Sequence, residues 1–112
     1  MPQLPLMVPK VWGREVWLVN EPEYCCKMLE VHKEASSSLH CHPVKKESFI
    51  LVTGKISLEC GDDRIILRPG PKAVTIPSGI YHRFKALKES VIMEISTHHE
   101  DTDVIRLEAS TA

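Results

Sequence analysis

Two histidines and a glutamate lie close together in the stretch SLHCHPVKKESFILVTG, which spans residues 38–54. One residue separates His40 from His42, and Glu47 follows shortly after them. In a helix this spacing would point the two imidazoles in different directions, whereas in a β-strand residues i and i+2 face the same side. The spacing therefore predicts a strand that carries both imidazoles on one face, with the carboxylate aimed at the same point.

A second segment places another histidine directly after a turn. Its pattern is G-x6-P-x-G-x2-H, which runs from Gly70 through Pro77 and Gly79 to His82. Proline and glycine at such positions are typical of turns. The chain therefore has a fourth side chain of the metal-ligating type at the beginning of a predicted strand.

The elements that must position these groups are short strands. Runs rich in β-branched and alternating apolar residues recur between turn signals, and no amphipathic helix of ten or more residues is indicated. This pattern is typical of an antiparallel sandwich or barrel. The N-terminal segment MPQLPLMVPK, with three prolines, is predicted to be extended or irregular, and the polar tail from Thr97 is ambiguous. The predicted strands cover residues 12–19, 24–32, 39–42, 48–52, 55–60, 64–67, 73–76, 81–86 and 90–96.

Length, charge and cysteine content narrow the class of protein. The chain has 112 residues, the size of one domain, with 14 basic and 15 acidic side chains. No Lys/Arg block exceeds two residues, and no apolar run approaches the roughly 20 residues of a membrane span. We expect neither a nucleic-acid nor a membrane partner, and a cytoplasmic location. The four cysteines form no C-x-x-C pair and are interpreted as reduced thiols rather than a zinc ribbon or disulfides.

The two histidine-containing motifs together resemble those of the cupin family, over a span from about Val11 to Ser96. The resemblance implies an all-β fold, a small double-stranded β-helix (jelly-roll) barrel. It implies a single cupin domain over residues 1–112, with the barrel at about 11–97 and a polar C-terminal tail at 98–112. It also implies that one divalent metal is held by four side chains, which are His40, His42, Glu47 and His82.

The implied ligand set restricts the metal without naming it. Three imidazoles and one carboxylate suit Mn, Fe, Co, Ni or Zn better than Ca or Mg. Four protein ligands leave one or two positions open to a substrate oxygen if the metal is five- or six-coordinate. The alternative is that these four are surface or core polar residues without a metal.

Further motifs resemble those of sugar isomerases within the cupins. The pattern H-x-H-x2-K-x-E, together with VIMEIST at 91–97, resembles D-lyxose isomerase-like enzymes. The opening VWGREVWLVNEPEYCCKMLEV and the turn IPSGIYHR at 76–83 resemble the cupin domain of type II mannose-6-phosphate isomerases. The resemblance implies a metal-dependent aldose–ketose isomerase that acts on a sugar or sugar phosphate through an enediol intermediate.

The same resemblance implies roles for four more residues. Glu94 would be the base that moves the proton, and Lys45 would donate a proton or stabilise the developing oxyanion. Arg83 and Tyr81 would bind substrate. The alternatives are a solvated loop position for Lys45, an outer-rim position for Arg83 and ordinary packing for Tyr81. The alternating neighbours of Glu94 do not settle which side of its strand is buried.

Two further histidines and both tryptophans are not assigned to the site. His98 and His99 are interpreted as solvated residues of the tail, and Trp12 and Trp17 as packing at a barrel face or a subunit interface. The family resemblance also implies a homodimer.

Two other functions compete with the isomerase: an Fe(II)-dependent cupin dioxygenase, and a cupin that binds metal or sugar without turnover.

Overall fold

The computed structural model describes Pro2 and residues 4–112. These residues form eleven β-strands, which confirms the predicted all-β class. Within this described part, no helix is long and apolar enough to cross a membrane. The strands are β1 (Leu6–Lys10), β2 (Gly13–Asn20), β3 (Cys25–Val31), β4 (Leu39–Cys41), β5 (Glu47–Thr53), β6 (Ile56–Cys60), β7 (Asp63–Leu67), β8 (Ala73–Ile76), β9 (His82–Ala86), β10 (Ser90–Ser96) and β11 (Ile105–Glu108).

The strands form two antiparallel sheets that pack face to face. The order is β1-β2-β3-β10-β5-β8 in the six-stranded sheet and β11-β4-β9-β6-β7 in the five-stranded sheet. Phe49 on β5 meets Phe84 on β9 with ring centroids 6.2 Å apart, so side chains of the two sheets interdigitate. The apolar core between them contains Trp12, Leu29, Val31, Ala35, Phe49, Leu51, Ile56, Leu58, Leu67, Ile76, Phe84, Ala86 and Ile92.

The inner face of the six-stranded sheet changes from apolar to charged part-way along neighbouring strands. On β10 the inward residue after Ile92 is Glu94, and both are buried. On β3, Leu29 pairs with Ile92 and Lys27 pairs with Glu94. Lys27 and Leu29 are two residues apart and therefore face the same side of the strand. Because side chains alternate with a period of two, this register gathers apolar residues at one end and charged residues at the other. One end of the sandwich is therefore a packed core, and the other is a polar cavity.

The structure contains all nine predicted strands and adds one at each end. β1 lies in the segment predicted to be extended or irregular, and as an edge strand it tolerates Pro9, which cannot donate to a ladder hydrogen bond. β11 lies in the predicted polar tail and pairs with β4, where Arg106 is opposite His40. The sheets therefore extend beyond the predicted bounds of 11–97 at both ends.

Gly54, the glycine that follows β5, has φ of +94°, a conformation that L side chains rarely adopt. A Cβ at this position would collide with the side chain of Ser90 and with the backbone oxygen of Glu89. The turn that leads from β5 to β6 therefore requires glycine, and it brings the end of β5 against the start of β10.

Both tryptophans pack within the chain. Trp12 is buried, with its ring edge-on to Phe84 at 5.1 Å between centroids. Trp17 packs against His99 at 4.9 Å and lies beneath the Lys27 ammonium. These residues therefore give no indication of a subunit interface, and a homodimer stays a prediction.

Candidate metal centre

Three histidines converge at the charged end of the cavity. His40 lies on β4 and pairs directly with His82 on β9, and His42 follows β4. One ring nitrogen from each histidine lies within 4.8 Å of the others. Glu47 begins β5 in the opposite sheet, so the two sheets supply the four predicted ligands to one place.

Backbone carbonyls orient the three imidazole rings. Because a carbonyl oxygen can only accept, each Nδ1 carries a hydrogen, and in the neutral ring the lone pair is then on Nε2. Such hydrogen bonds orient metal-ligating histidines in many proteins. The Nδ1 atoms donate to Ser38 (2.8 Å, from His40), Asp103 (2.8 Å, from His42) and Ile80 (2.9 Å, from His82).

Glu47 presents its carboxylate to two of these lone pairs. Its Oε1 is 2.8 Å from Nε2 of His82, and its Oε2 is 3.8 Å from Nε2 of His42. His82 Nε2 is buried without a hydrogen-bond partner, and Glu47 Oε2 has only the ion pair with the Lys45 ammonium, 3.3 Å away. Lone pairs that face each other in a buried site are unfavourable unless a cation lies among them. The donor set therefore fits a divalent metal.

The electrostatics of the site favour the protonation states that metal ligands need. Burial, together with the neighbouring His82 and His42, lowers the pKa of His40 to about 3. Burial by itself raises the pKa of Glu47, but a hydrogen bond from His82 in its protonated form and the charge of Lys45 outweigh it and hold that pKa at about 2. At neutral pH the site therefore has a neutral His40 and an ionised carboxylate, as metal binding requires.

Lys45 and Glu94, the residues implied as acid and base, meet beside this site. Lys45 Nζ lies 3.2 Å from Glu94 Oε2 and 3.3 Å from Glu47 Oε2, and both side chains of the pair are at most 5% exposed. Burial and the charge of Glu47 raise the pKa of Glu94, while the two carboxylates raise the pKa of Lys45 against the effect of burial. Lys45 is therefore not a solvated loop residue, and Glu94 faces inward. Their chemical roles stay predictions.

The structure does not bring Arg83 and Tyr81 to the metal ligands. The cavity lined by His40, His42 and Glu47 has a volume of about 300 Å³, and neither Arg83 nor Tyr81 lines it. Arg83 follows His82 on β9 and faces the other side of the strand, where it pairs with Glu108 at 3.0 Å. The Tyr81 hydroxyl lies beside the Cys41 thiol. The substrate-binding role implied for Arg83 and Tyr81 stays a prediction.

Lys27 and Glu15 line the cavity but were missed in the sequence. Lys27 is 1% exposed, and its Nζ lies 3.3 Å from Glu15 Oε1. The same ammonium is 4.2 Å from the ring centroid of Trp17. A signal was available, because Lys27 shares the strand phase of Leu29 and a buried lysine requires a partner.

His99 is a third residue of the cavity that was missed in the sequence, and its prediction as a solvated residue of the tail is wrong. Its side chain is 14% exposed, and its Nδ1 lies 3.2 Å from Lys45 Nζ. On the other side of the ring, Nε2 lies 2.9 Å from Asp101 Oδ1. Burial, followed by the charges of Lys27 and Lys45, lowers the pKa of His99 and keeps the ring neutral.

Asp103, in the same C-terminal segment, clamps the loop that carries Lys45. Its carboxylate accepts hydrogen bonds from the backbone N–H groups of Val44 (2.9 Å) and Lys45 (2.8 Å). Its own carbonyl accepts the bond from His42. One residue therefore positions both a metal ligand and the lysine beside it.

Comparison with known proteins gives the same fold. The sequence model described as Cupin domain matches residues 27–99. A search of curated proteins found no match. Among solved structures, KdgF from Halomonas sp. has a TM-score of 0.73 at 19% identity, over 79% of this chain and 80% of that one. CapF from Staphylococcus aureus has a TM-score of 0.78 at 21% identity, over 96% of this chain and 32% of that one. Streptomyces Pac13, solved with uridine, has a TM-score of 0.78 at 11% identity, over 94% and 85%.

These structural similarities, all below 25% identity, establish the fold alone, and the chain spans about a third of CapF. They do not confirm the narrower resemblance to sugar isomerases. The match to the family, by contrast, covers more than half of the chain and includes His40, His42, Glu47 and His82. The chain therefore belongs to the cupin family.

Proposed function

We propose that the protein is a metal-dependent isomerase that interconverts an aldose and a ketose, or their phosphates, through an enediol intermediate. The observation that carries the proposal is the buried pair of Lys45 and Glu94, 3.2 Å apart, in the same cavity as the metal ligands. A buried cation and carboxylate are costly unless they are paired or used. Their position beside the metal ligands supports the roles of proton donor and proton acceptor towards a substrate.

The chain's own residues would carry the proton transfer. A divalent metal held by the three histidines and Glu47 would supply a Lewis acid that polarises a substrate carbonyl. The Glu94 carboxylate would take the proton from the carbon beside the carbonyl and return it to the neighbouring carbon. Its raised pKa suits this role, because a general base works best when its pKa approaches the working pH. The Lys45 ammonium would donate a proton to the oxygen on which negative charge develops, and would take one back from the neighbouring hydroxyl as the second carbonyl forms.

Descriptions of structural relatives support a carbohydrate-related substrate. CapF is described as a capsular polysaccharide assembling protein, and Pac13 as a nucleoside dehydratase. A nucleoside contains a sugar, and Pac13 is a β-barrel protein of similar length, since the match covers 94% of this chain and 86% of Pac13. At these identities the support is an analogy of fold and not of residues.

The test is proton exchange in D₂O. Protein loaded with Mn²⁺ is incubated with pentoses, hexoses and their 6-phosphates, and loss of the C2 proton is followed by NMR. We expect exchange on at least one sugar, and its loss in Glu94→Gln. The matched control is Glu89→Gln, because Glu89 is 71% exposed and lies outside the cavity lining. Metal content, measured by atomic emission, must be unchanged in both variants.

The competing functions predict different results. A cupin dioxygenase would consume oxygen when loaded with Fe²⁺, and a binding protein would retain sugar without exchange. If no sugar of the panel loses its C2 proton while metal is bound, the proposed isomerase activity is refuted.

A further inference from the structure

Lys27 is a buried ammonium at the cavity wall that the proposed reaction does not use. It is 1% exposed, and Glu15 is its one hydrogen-bond acceptor among the described residues. An ammonium has three donors, and the ring of Trp17 covers one side of this one without accepting a conventional hydrogen bond. Lys27 therefore has donor capacity left for a group inside the cavity.

The charge of the cavity favours an anion. Two ammonium groups oppose three carboxylates, so the interior is negative by one charge when all are ionised, and a divalent metal makes it positive by one. Two cations and one anion at the mouth add a further positive charge. The interior groups are Lys27, Lys45, Glu15, Glu47 and Glu94, and those at the mouth are Lys10, Arg106 and Asp101. Since charges in a partly desolvated cavity are weakly screened, an anionic ligand would balance the loaded site.

Lys27 also lies on the strand next to the one that carries Glu94, the proposed base. It is directly opposite Glu94 in the register of β3 and β10, and directly opposite Trp17 in the register of β2 and β3. Directly opposed side chains on one face are about 5 Å apart at their Cβ atoms. A ligand group that contacts Lys27 would therefore be one strand away from the base.

We propose that Lys27 anchors a carboxylate of the substrate, so that the cavity accepts a sugar acid in preference to a neutral sugar. This inference rests on the proposed function, because it names the substrate class of the same site. A carboxylate brings one negative charge, which matches the single excess positive charge of the interior, where Lys27 lies; the charged groups at the mouth are exposed and screened by salt. A phosphate brings nearly two charges and more acceptor oxygens than one ammonium satisfies.

The experiment compares matched sugars that differ in one group. Mn²⁺-loaded protein is titrated by calorimetry with D-glucuronate against D-glucose, with D-galacturonate against D-galactose, and with D-glucose 6-phosphate. A charge-assisted hydrogen bond should make the uronate of a pair bind on the order of tenfold more tightly than its neutral sugar. Lys27→Met should bring the two affinities within about threefold of each other, since it removes the charge and keeps the length.

Two further variants keep the inference falsifiable. Glu15→Gln removes the group that competes for Lys27, so it should tighten uronate binding and leave neutral sugars unchanged. Lys85→Met is the matched control, because Lys85 is exposed, pairs with Glu34 at 3.6 Å and lies outside this cavity. If Lys27→Met fails to fold by circular dichroism, the opposite effect of Glu15→Gln carries the test.

The inference is overturned if neither uronate binds, if uronate and neutral sugar bind equally, or if the preference survives in Lys27→Met. Weaker or unchanged uronate binding in Glu15→Gln, or tighter binding of the phosphate, overturns it as well. Calorimetry needs no turnover, so the two proposals fail separately. A Lys27-dependent preference without proton exchange removes the isomerase alone, whereas exchange on neutral sugars without that preference removes this inference alone.

Discussion

Removal of the Asp103 carboxylate should loosen both the fold and the metal centre. The carboxylate accepts two backbone hydrogen bonds, at 2.9 Å from Val44 N and 2.8 Å from Lys45 N. A hydrogen bond to a charged group contributes about 1.5–3 kcal/mol. Val44 is exposed, so water replaces its bond at little cost, whereas Lys45 is buried and its N–H would lose its partner. Asp103→Ala should therefore lower the free energy of unfolding by about 2–4 kcal/mol.

Urea denaturation of the metal-free protein, followed by circular dichroism, measures this loss. With m of about 1–3 kcal/mol per molar urea, the midpoint should fall by about 1–2 M. Asp103→Asn, which keeps one acceptor oxygen, should lose about half as much, and Asp62→Ala, at an exposed turn, should change stability by less than about 0.5 kcal/mol. Asp103→Ala keeps the backbone carbonyl that accepts from His42, but it frees the segment that positions this carbonyl, so metal affinity should drop by about tenfold. A loss of stability no larger than that of the control would refute the clamp.

Three other predictions concern the same cavity. Lys45→Met should destabilise the protein by about 3–5 kcal/mol, because two buried carboxylates lose their cation; a loss below about 1 kcal/mol in urea would contradict the buried pair. Mn²⁺ at a hundred times its Kd should stabilise the wild-type protein by about 2.7 kcal/mol in thermal unfolding, and not the variant His82→Ala; equal stabilisation of both would contradict the ligand assignment. The metal-free protein should lose stability as pH falls from about 6.5 towards 3, because His40 binds a proton in the unfolded chain before it does in the folded one. The slope should reach about 1.4 kcal/mol per pH unit for this group, and a flat profile in that window would contradict the lowered pKa.

Local sequence patterns predicted which side chains converge at the candidate metal centre, because the relevant rules act over a few residues. Alternation in a strand is enough to place His40 and His42 on one face. Turn residues are enough to place His82 at the beginning of a strand. Nine of the strands follow from the same local signals, and their bounds shift only slightly in the structure.

The two terminal strands were not predictable in this way. β1 contains a proline, which is tolerated only because the strand is at an edge of its sheet, and β11 is a strand only because it pairs with β4. The edge position of β1 and the pairing of β11 both depend on residues far away in the chain. They therefore cannot be predicted from the local composition of these two segments.

By itself, the sequence determined the all-β class, the family and the types of side chain that can bind a metal, since alternation, turns and motif spacing are local properties. Only the tertiary structure decided which of those side chains work together. Alternation does not say which face of β10 is buried, so the pairing of Glu94 with Lys45 required the packed sheets. Loops and tails have no period at all, so the return of His99 and Asp103 to the cavity required the folded chain.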